Sequence, residues 1–426
     1  MMKIRAASWW AWSFAVLFLF YEFIVRVFPT VMVQELMGAF DATAAQLGTL
    51  SAFFFYAYAP MQIPVGLLMD RFGARNLLTF ASLFCGFGSL LFAAAHHIIP
   101  ADIGRFLMGI GSSFAFVGMV YVCSHWFPAK KLALLVGIGN SLGMLGAFGA
   151  QGPLSFVVET MGWRFTVVTF GITGIVLALV LFFFMKKAPG QEKIEVKKAS
   201  FDLAHNLKKV ASNGRTWLNA AIALLFYMTT AAFASLWGIP FLSEGYGIDR
   251  NVAAFAISMI FIGWIIGGPI IGYISDRFSK RKPFLYGGIF LCLLSLIPVI
   301  YIPHLPMPLL FILLFLVGFF QAAQLLSFSL GIEINAIEAK GTSIALTNFC
   351  VATGSSLMQP LLGILLDSKW DGAMREGIPF YSIADYHFAM VSFPITLILA
   401  FVLLLFLKET KHEPDAATWS KISGMD

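Results

Sequence analysis

Glu22 and Arg26 lie four residues apart in the first long apolar run of the chain, and Arg105 lies inside the fourth. An ionisable group at the centre of a membrane span costs about 2.5–3.5 kcal/mol on insertion scales, so its presence calls for a purpose. Glu22 is the only carboxylate well inside such a run. A carboxylate held there can take up and release a proton. A guanidinium can grip a second carboxylate through two parallel hydrogen bonds, which a Lys ammonium cannot reproduce. Positions four apart share a helix face, so Glu22 and Arg26 present their charges together. At 1.5 Å per residue Glu22 sits ~20 Å from Trp9 across a core of ~30 Å. Arg105 enters its run three residues after Asp102, which puts all three charges at similar depth, able to converge on one cavity. The plainer alternative is a structural Glu22–Arg26 or Glu22–Arg105 ion pair, whose desolvation can cancel its attraction.

Other polar side chains in apolar runs fall on single helix faces. Tyr227, Thr230 and Trp237 share one; Gln321 and Gln324 are neighbours; Asn348, Ser355 and Gln359 repeat along another; Asn140 and Gln151 stand three turns apart. Tyr58 and Gln62 extend the set. Each is a candidate for lining a polar cavity, against the alternative of hydrogen-bond glue between helices. Enzyme constellations are missing: the chain has no Walker loop, no H-E-x-x-H and no metal-spaced Cys/His cluster. Its four cysteines fall inside apolar runs without C-x-x-C spacing, as buried packing residues do.

The elements that must position these groups are membrane helices. The chain is 59% hydrophobic and 12% charged, with mean hydropathy +0.85, outside the soluble range. Runs of roughly 20 apolar residues recur near 9–31, 45–69, 76–95, 101–126, 132–157, 164–185, 216–242, 252–275, 283–302, 307–332, 342–366 and 387–407. That reading predicts twelve spans, the first retained as a span rather than a leader. Of the 28 Lys and Arg, 22 fall in the segments that face inward if the N-terminus is inside, and four (Arg164, Arg250, Lys369, Arg375) face outward. The bias predicts two cytoplasmic termini. The polar, basic stretch 186–214 reads as a cytoplasmic linker able to touch an anionic leaflet.

One loop occurs twice. The first copy reads Gly66-Leu67-Leu68-Met69-Asp70-Arg71-Phe72-Gly73-Ala74-Arg75, and the second Gly272-Tyr273-Ile274-Ser275-Asp276-Arg277-Phe278-Ser279-Lys280-Arg281. Each joins two spans, at matching places in two halves. This loop, with Arg105-x-x-x-Gly109-x-Gly111 in span four and Gly162-Trp163-Arg164 entering span six, resembles the signatures of the major facilitator superfamily. Ser279 departs from the glycine of that loop, and span five lacks the trailing glycine pair of the drug-antiporter motif. More loosely, Tyr21-Glu22-Phe23-Ile24-Val25-Arg26 with Tyr58-Ala59-Pro60-Met61-Gln62-Ile63-Pro64 is similar to the proteobacterial intraphagosomal amino-acid transporter branch and lysosomal dipeptide carriers.

The resemblance implies an all-α membrane protein of twelve transmembrane helices in two pseudo-symmetric six-helix bundles. It gives residues 1–185 and 215–411 as the bundles, 186–214 as linker and 412–426 as a cytoplasmic tail. Spans one, four, seven and ten would surround a central path, with Glu22, Arg26 and Arg105 binding substrate or coupling protons. Gly66, Asp70, Arg71, Gly73, Arg75, Asp276 and Arg277 would form a conformational latch, because Asp70 can cap a facing helix N-terminus and pair with Arg in one state and release it in the other. The implied activity is alternating-access secondary transport of a small polar nutrient, as proton-coupled uptake of an amino acid or dipeptide. The alternatives are a nucleoside or organic-anion carrier, a passive uniporter, or, from other classes, a channel or membrane enzyme. The expected setting is a multi-pass protein of a bacterial inner membrane, a monomer acting on a small-molecule substrate within the lipid bilayer. No cofactor, metal or nucleic acid is expected, and the proton gradient would supply the energy.

Overall fold

In hydrocarbon every backbone N–H and C=O must be paired within the chain, so runs of this composition fold as helices. The computed structural model describes residues 6–128, 131–186, 205–336 and 339–408. The first half runs α1 (Ala6–Val27), a 3-10 turn (Phe28–Val31), α2 (Val33–Phe40), α3 (Ala44–Met61), α4 (Val65–Ala94), α5 (Ile98–Ser112), α6 (Ala115–Trp126), α7 (Leu132–Gly149), α8 (Gly152–Met161) and α9 (Trp163–Phe184). After α10 (205–211), the second half begins with α11 (Gly214–Met228) and a wide π-helical stretch (Thr229–Trp237). It continues through α12 (Gly238–Pro240), α13 (Arg250–Arg277), α14 (Lys282–Tyr301), α15 (Met307–Gln321), α16 (Leu326–Glu333), α17 (Lys340–Asp367), α18 (Ile383–Met390) and α19 (Ser392–Phe406). The one strand pairing among the described residues joins Met374–Arg375 to Ile378–Pro379 before α18. Most of the expected linker and all of the expected tail 412–426 lie outside the described residues.

Eleven segments among the described residues are long and apolar enough to cross a membrane. The expected second span, 45–69, is the exception. Its α3 carries Gln46, Thr49, Ser51, Tyr56 and Tyr58 and has Pro60 in its last turn, and the chain turns at Gln62–Pro64 before α4 begins. The helix α4 in turn breaks at Gly73, where φ is +76° and ψ 156°. Glycine reaches that conformation without a Cβ clash, so the first copy of the repeated loop is a kink between two crossings, and the second is a short turn between α13 and α14. Residues 65–72 complete the second crossing and 74–94 make the third. With α3 counted, the fold is the twelve-helix, two-bundle architecture.

Close backbone contact holds each half together. A Cβ on Gly109 would stand 2.0 Å from the Phe54 carbonyl oxygen, so α5 and α3 touch backbone to backbone only because glycine is there. Between the halves, α3 runs antiparallel to α17: Ala44 at its start meets Asp367 at the end of α17, and Gln62 beyond its end meets Asn348. The four cysteines are buried free thiols. Large apolar side chains such as Phe183, Phe184 and Phe406 face outward, as a lipid-facing surface requires.

Candidate functional site

Glu22 and Arg26 meet inside the first half. Arg26 donates from Nε at 2.8 Å and Nη2 at 2.7 Å, both to Glu22 Oε1. Glu22 is fully buried, and its Oε2 has no hydrogen-bond partner. The guanidinium lies 4.8 Å from the Phe23 ring centre, 4.9 Å from Tyr58 and 6.0 Å from Phe54, within range for cation–π attraction. Tyr227 from the second half comes within electrostatic reach of Arg26, Tyr58 and Glu22, so both bundles contribute to this spot.

Arg105 is placed differently from the expectation. It is fully buried, but its guanidinium donates to backbone carbonyls: Val25 at 2.8 Å, Arg26 at 3.2 Å and Ser51 at 3.4 Å. Rings of Phe54 and Phe28 flank it at 4.8 and 5.3 Å. The last turn of α1 offers carbonyls without intrahelical partners, and a cation there also meets the negative end of the helix dipole. Arg105 therefore ties α1 to α3 and α5. Of the three buried charges, two face one another.

The polar set sorts in the same manner. Gln321 donates to the Phe226 carbonyl at 2.5 Å, Gln359 to Ala231 at 2.7 Å and Gln151 to Ala234 at 3.0 Å. All three acceptors lie in or beside the π-helical stretch of span seven, whose wide turns displace carbonyls from the regular ladder. Trp237 donates to the Gln359 carbonyl at 3.1 Å. Thus Gln321, Gln359 and Trp237 serve the backbone, as the helix-glue alternative has it. Gln62 and Asn348 bond each other across the halves at 2.7 Å. Gln324 is buried with Nε2 unpartnered, and Asn140 is half-buried. Trp264, which sequence reasoning passed over, packs edge-on to Tyr227 with centroids 5.9 Å apart. It donates to Thr230 at 2.9 Å, and Thr230 in turn donates to Gln321 at 2.5 Å. An indole in a continuous apolar run gives no periodic signal.

The loop residues divide by half. Arg75 donates twice to the Phe182 carbonyl, from Nε at 3.0 Å and Nη2 at 2.5 Å, closing the end of α9. Arg71 is exposed beside Phe72, and a Cβ on Gly66 would meet open space. Asp70, half-buried, has His125 within electrostatic reach and no hydrogen bond or ion pair to the other half among the described residues. In the second half Asp276 pairs with Arg281, not with the exposed Arg277. Arg281 also reaches Glu333 and Ser275, each at 3.0 Å. Burial weighs against the Arg281 cation, yet Asp276 and Glu333 outweigh it and raise its pKa above the ordinary value.

Cross-half bonds gather at the end where α1 finishes and α3 begins, termed the outer end. Arg250 pairs with Glu35 at 2.5 Å and also donates to the Val31 carbonyl. Gln34 donates to Glu244 at 2.6 Å, and Asn251 to Glu159 at 2.5 Å. No such bond joins the halves at the opposite end, around Asp70 and Asp276, among the described residues. Among the described residues the halves are pinned most densely at the outer end, while the Gln62–Asn348 bond, one turn past Tyr58, also joins them on the other side of the Glu22–Arg26 pair.

A family model described as Major Facilitator Superfamily matches residues 13–359 and, again, 220–424. Curated relatives include a probable sulfoacetate transporter of Cupriavidus necator, 25% identical over 272 residues, which are 62% of this chain and 63% of that protein. A probable galactarate/D-glucarate transporter of Bacillus subtilis is 24% identical over 281 residues, 58% and 62% of the two chains. The matches span less than two thirds of either relative's own length. Among solved structures, a bacterial homolog of the human lysosomal transporter Spinster, inward-facing and occupied, aligns with TM-score 0.73 at 17% identity, covering 95% of this chain and 97% of that one. A nucleoside transporter aligns with TM-score 0.73 at 13% identity, covering 93% and 99%. Those identities carry the fold alone. The fold, the paired loops and the family match agree that this integral, multi-pass membrane chain belongs to the Major Facilitator Superfamily, whose members are transporters rather than enzymes.

Proposed function

We propose that the chain is an alternating-access secondary transporter that takes up a small carboxylate-bearing solute together with a proton. The observation that carries this reading is the buried Glu22–Arg26 pair, in which Arg26 spends two nitrogens on one oxygen of Glu22 while the other oxygen has no partner. A proton arriving at that free oxygen cancels the charge holding Arg26. The guanidinium is then released to grip a substrate carboxylate, and the Tyr58 and Phe23 rings keep it in place. Loss of the proton on the other side restores the pair and expels the substrate. Proton and anion thus travel together.

Two members of this class have separate support. The unpartnered Glu22 oxygen can receive an ammonium, which favours an amino acid or dipeptide. The relatives' names favour organic acids without one: sulfoacetate, and galactarate or D-glucarate. The inward Lys/Arg bias supports a bacterial inner-membrane setting with both termini cytoplasmic. The bundles are assigned to 1–185 and 215–411 with 186–214 as the link, and a site to which both halves contribute, through Arg26 and Tyr227, supports a monomer as the working unit.

Purified protein in liposomes, offered radiolabelled amino acids, dipeptides, organic acids and nucleosides under an imposed pH gradient, tests the reading. Accumulation of a carboxylate-bearing compound, lost when the carboxylate is esterified, is expected. Preference for a nucleoside would refute it, and equilibration without accumulation would mark a uniporter.

A further inference from the structure

The outer seam contains a carboxylate that neither the loop signature nor the Glu22–Arg26 pair uses. Asp367, at the end of α17, accepts from the backbone N–H of Ala44 at 3.2 Å and of Ala45 at 3.0 Å. These are the first residues of α3, in the opposite half. Tyr381 completes the joint: its hydroxyl donates to Asp367 at 2.5 Å and accepts from Ala44 N–H at 3.0 Å. Tyr381 is 1% exposed. Burial, first, and then the hydrogen bond to Asp367 push its phenol well above the ordinary tyrosine range, so it remains a donor. The seam has no slack here, since a Cβ on Gly363 would stand 2.2 Å from the Ala44 carbonyl oxygen.

A helix N-terminus carries unpaired N–H groups and partial positive charge, so an anion docked there from another body is a charge-assisted clamp. We propose that Asp367, positioned by Tyr381, is the outer lock of the transport cycle, and that it is the inverted counterpart of Asp70. Both aspartates end a crossing, Asp367 the eleventh and Asp70 the second, and those two crossings run antiparallel in contact. Asp367 caps the start of the second crossing. Asp70 stands at the end where the eleventh starts, and that start has Ala339 at its cap position, with no side chain to accept its N–H groups. Asp367 is engaged in this structure, and Asp70 makes no bond to the other half among the described residues, as alternation demands.

The proposal rests on alternating access but not on the substrate class, because its test needs no substrate. Ile239 is buried in the outer seam beside Thr30 and Gln34. In Ile239→Cys protein, with the native thiols buried, a membrane-impermeant maleimide reports opening of the outer end. Adding Asp367→Asn, which turns an amide donor toward N–H groups or the Tyr381 hydroxyl, should raise the labelling rate several-fold. Tyr381→Phe should raise it less, and Asp70→Asn should lower it. The double variant Asp70→Asn/Asp367→Asn should fall between the single ones. Labelling at the parent rate in Asp367→Asn overturns the lock. If that variant does not reach the membrane, an unchanged rate in folded Tyr381→Phe overturns it equally. A double variant that labels like Asp367→Asn alone refutes the reciprocal relation to Asp70.

Discussion

Arg26 points Nε and Nη2 at the same oxygen of Glu22, at 2.8 and 2.7 Å, and leaves the second oxygen unmatched. A bidentate pair would satisfy both oxygens. This one is half-made, and a buried acceptor without a donor has a cost of about 1–3 kcal/mol. A pair kept for stability alone would be expected to close that gap. The arrangement suits a carboxylate that exchanges partners.

Glu22→Gln removes the exchangeable proton and keeps the shape. Uphill accumulation under a pH gradient should fall at least about tenfold, the equivalent of about 1.4 kcal/mol, while counterflow of preloaded substrate persists. Liposome accumulation with and without the gradient measures both. A variant that still concentrates substrate places the coupling elsewhere.

Arg26→Lys keeps the charge but loses the planar fork. Initial uptake should drop by about tenfold or more, with the larger change in KM, since one bidentate pair is exchanged for a point charge. Wild-type kinetics in the lysine variant would remove Arg26 from substrate binding.

Whereas one proton with a zwitterionic amino acid or dipeptide carries one positive charge, one proton with an organic acid of net charge −1 moves no net charge across the membrane. Uptake of such an acid should collapse with a protonophore and ignore a potassium diffusion potential set by valinomycin. A strong response to that potential would show a different stoichiometry.

Arg105 clamps three carbonyls, so its loss should appear as instability rather than altered coupling. Arg105→Lys should lower the melting temperature of purified protein, at a cost of about 1.5–3 kcal/mol for each charged hydrogen bond forfeited. The pH dependence of transport should remain that of the parent. A shifted pH profile at unchanged stability would return Arg105 to the coupling machinery.

Gly73→Ala should cost about 1–3 kcal/mol, because φ +76° with ψ 156° lies where only glycine is at ease. A thermal unfolding scan of detergent-solubilised protein checks it. An unshifted transition would mean that the kink relaxes without strain.

Much of this was legible in the sequence, and the rest was hidden for identifiable reasons. Apolar run length fixes helices because hydrocarbon leaves the backbone no alternative, and the repeated loop marks where two crossings join. Four residues is a local spacing, so the meeting of Glu22 and Arg26 on one helix face is readable from the sequence. The sequence groups Arg105 with Glu22 and Arg26 around one cavity because side-chain charge is printed in a sequence and free carbonyls at the end of α1 are not. Gln321 and Gln359 were obscured in the same way, because nothing in Thr229–Trp237 announces wide turns. Arg250–Glu35 and Asp367–Ala44 join residues far apart in the chain, and no periodicity reports such pairs.

The modest apolarity of α3 has a consequence for biogenesis. A segment with Gln46, Thr49, Ser51 and two tyrosines gains little by partitioning from a translocon into lipid on its own, in contrast to the eleven other crossings. The N–H groups of Ala44 and Ala45 find their Asp367 acceptor, and Gly48 its close neighbour Gln359, only once α17 is in place, and α17 is synthesised some 300 residues later. Until then α3 must be sheltered by its hairpin partner α4 or by the insertion machinery. The second crossing is therefore where assembly of the whole molecule waits for its other half.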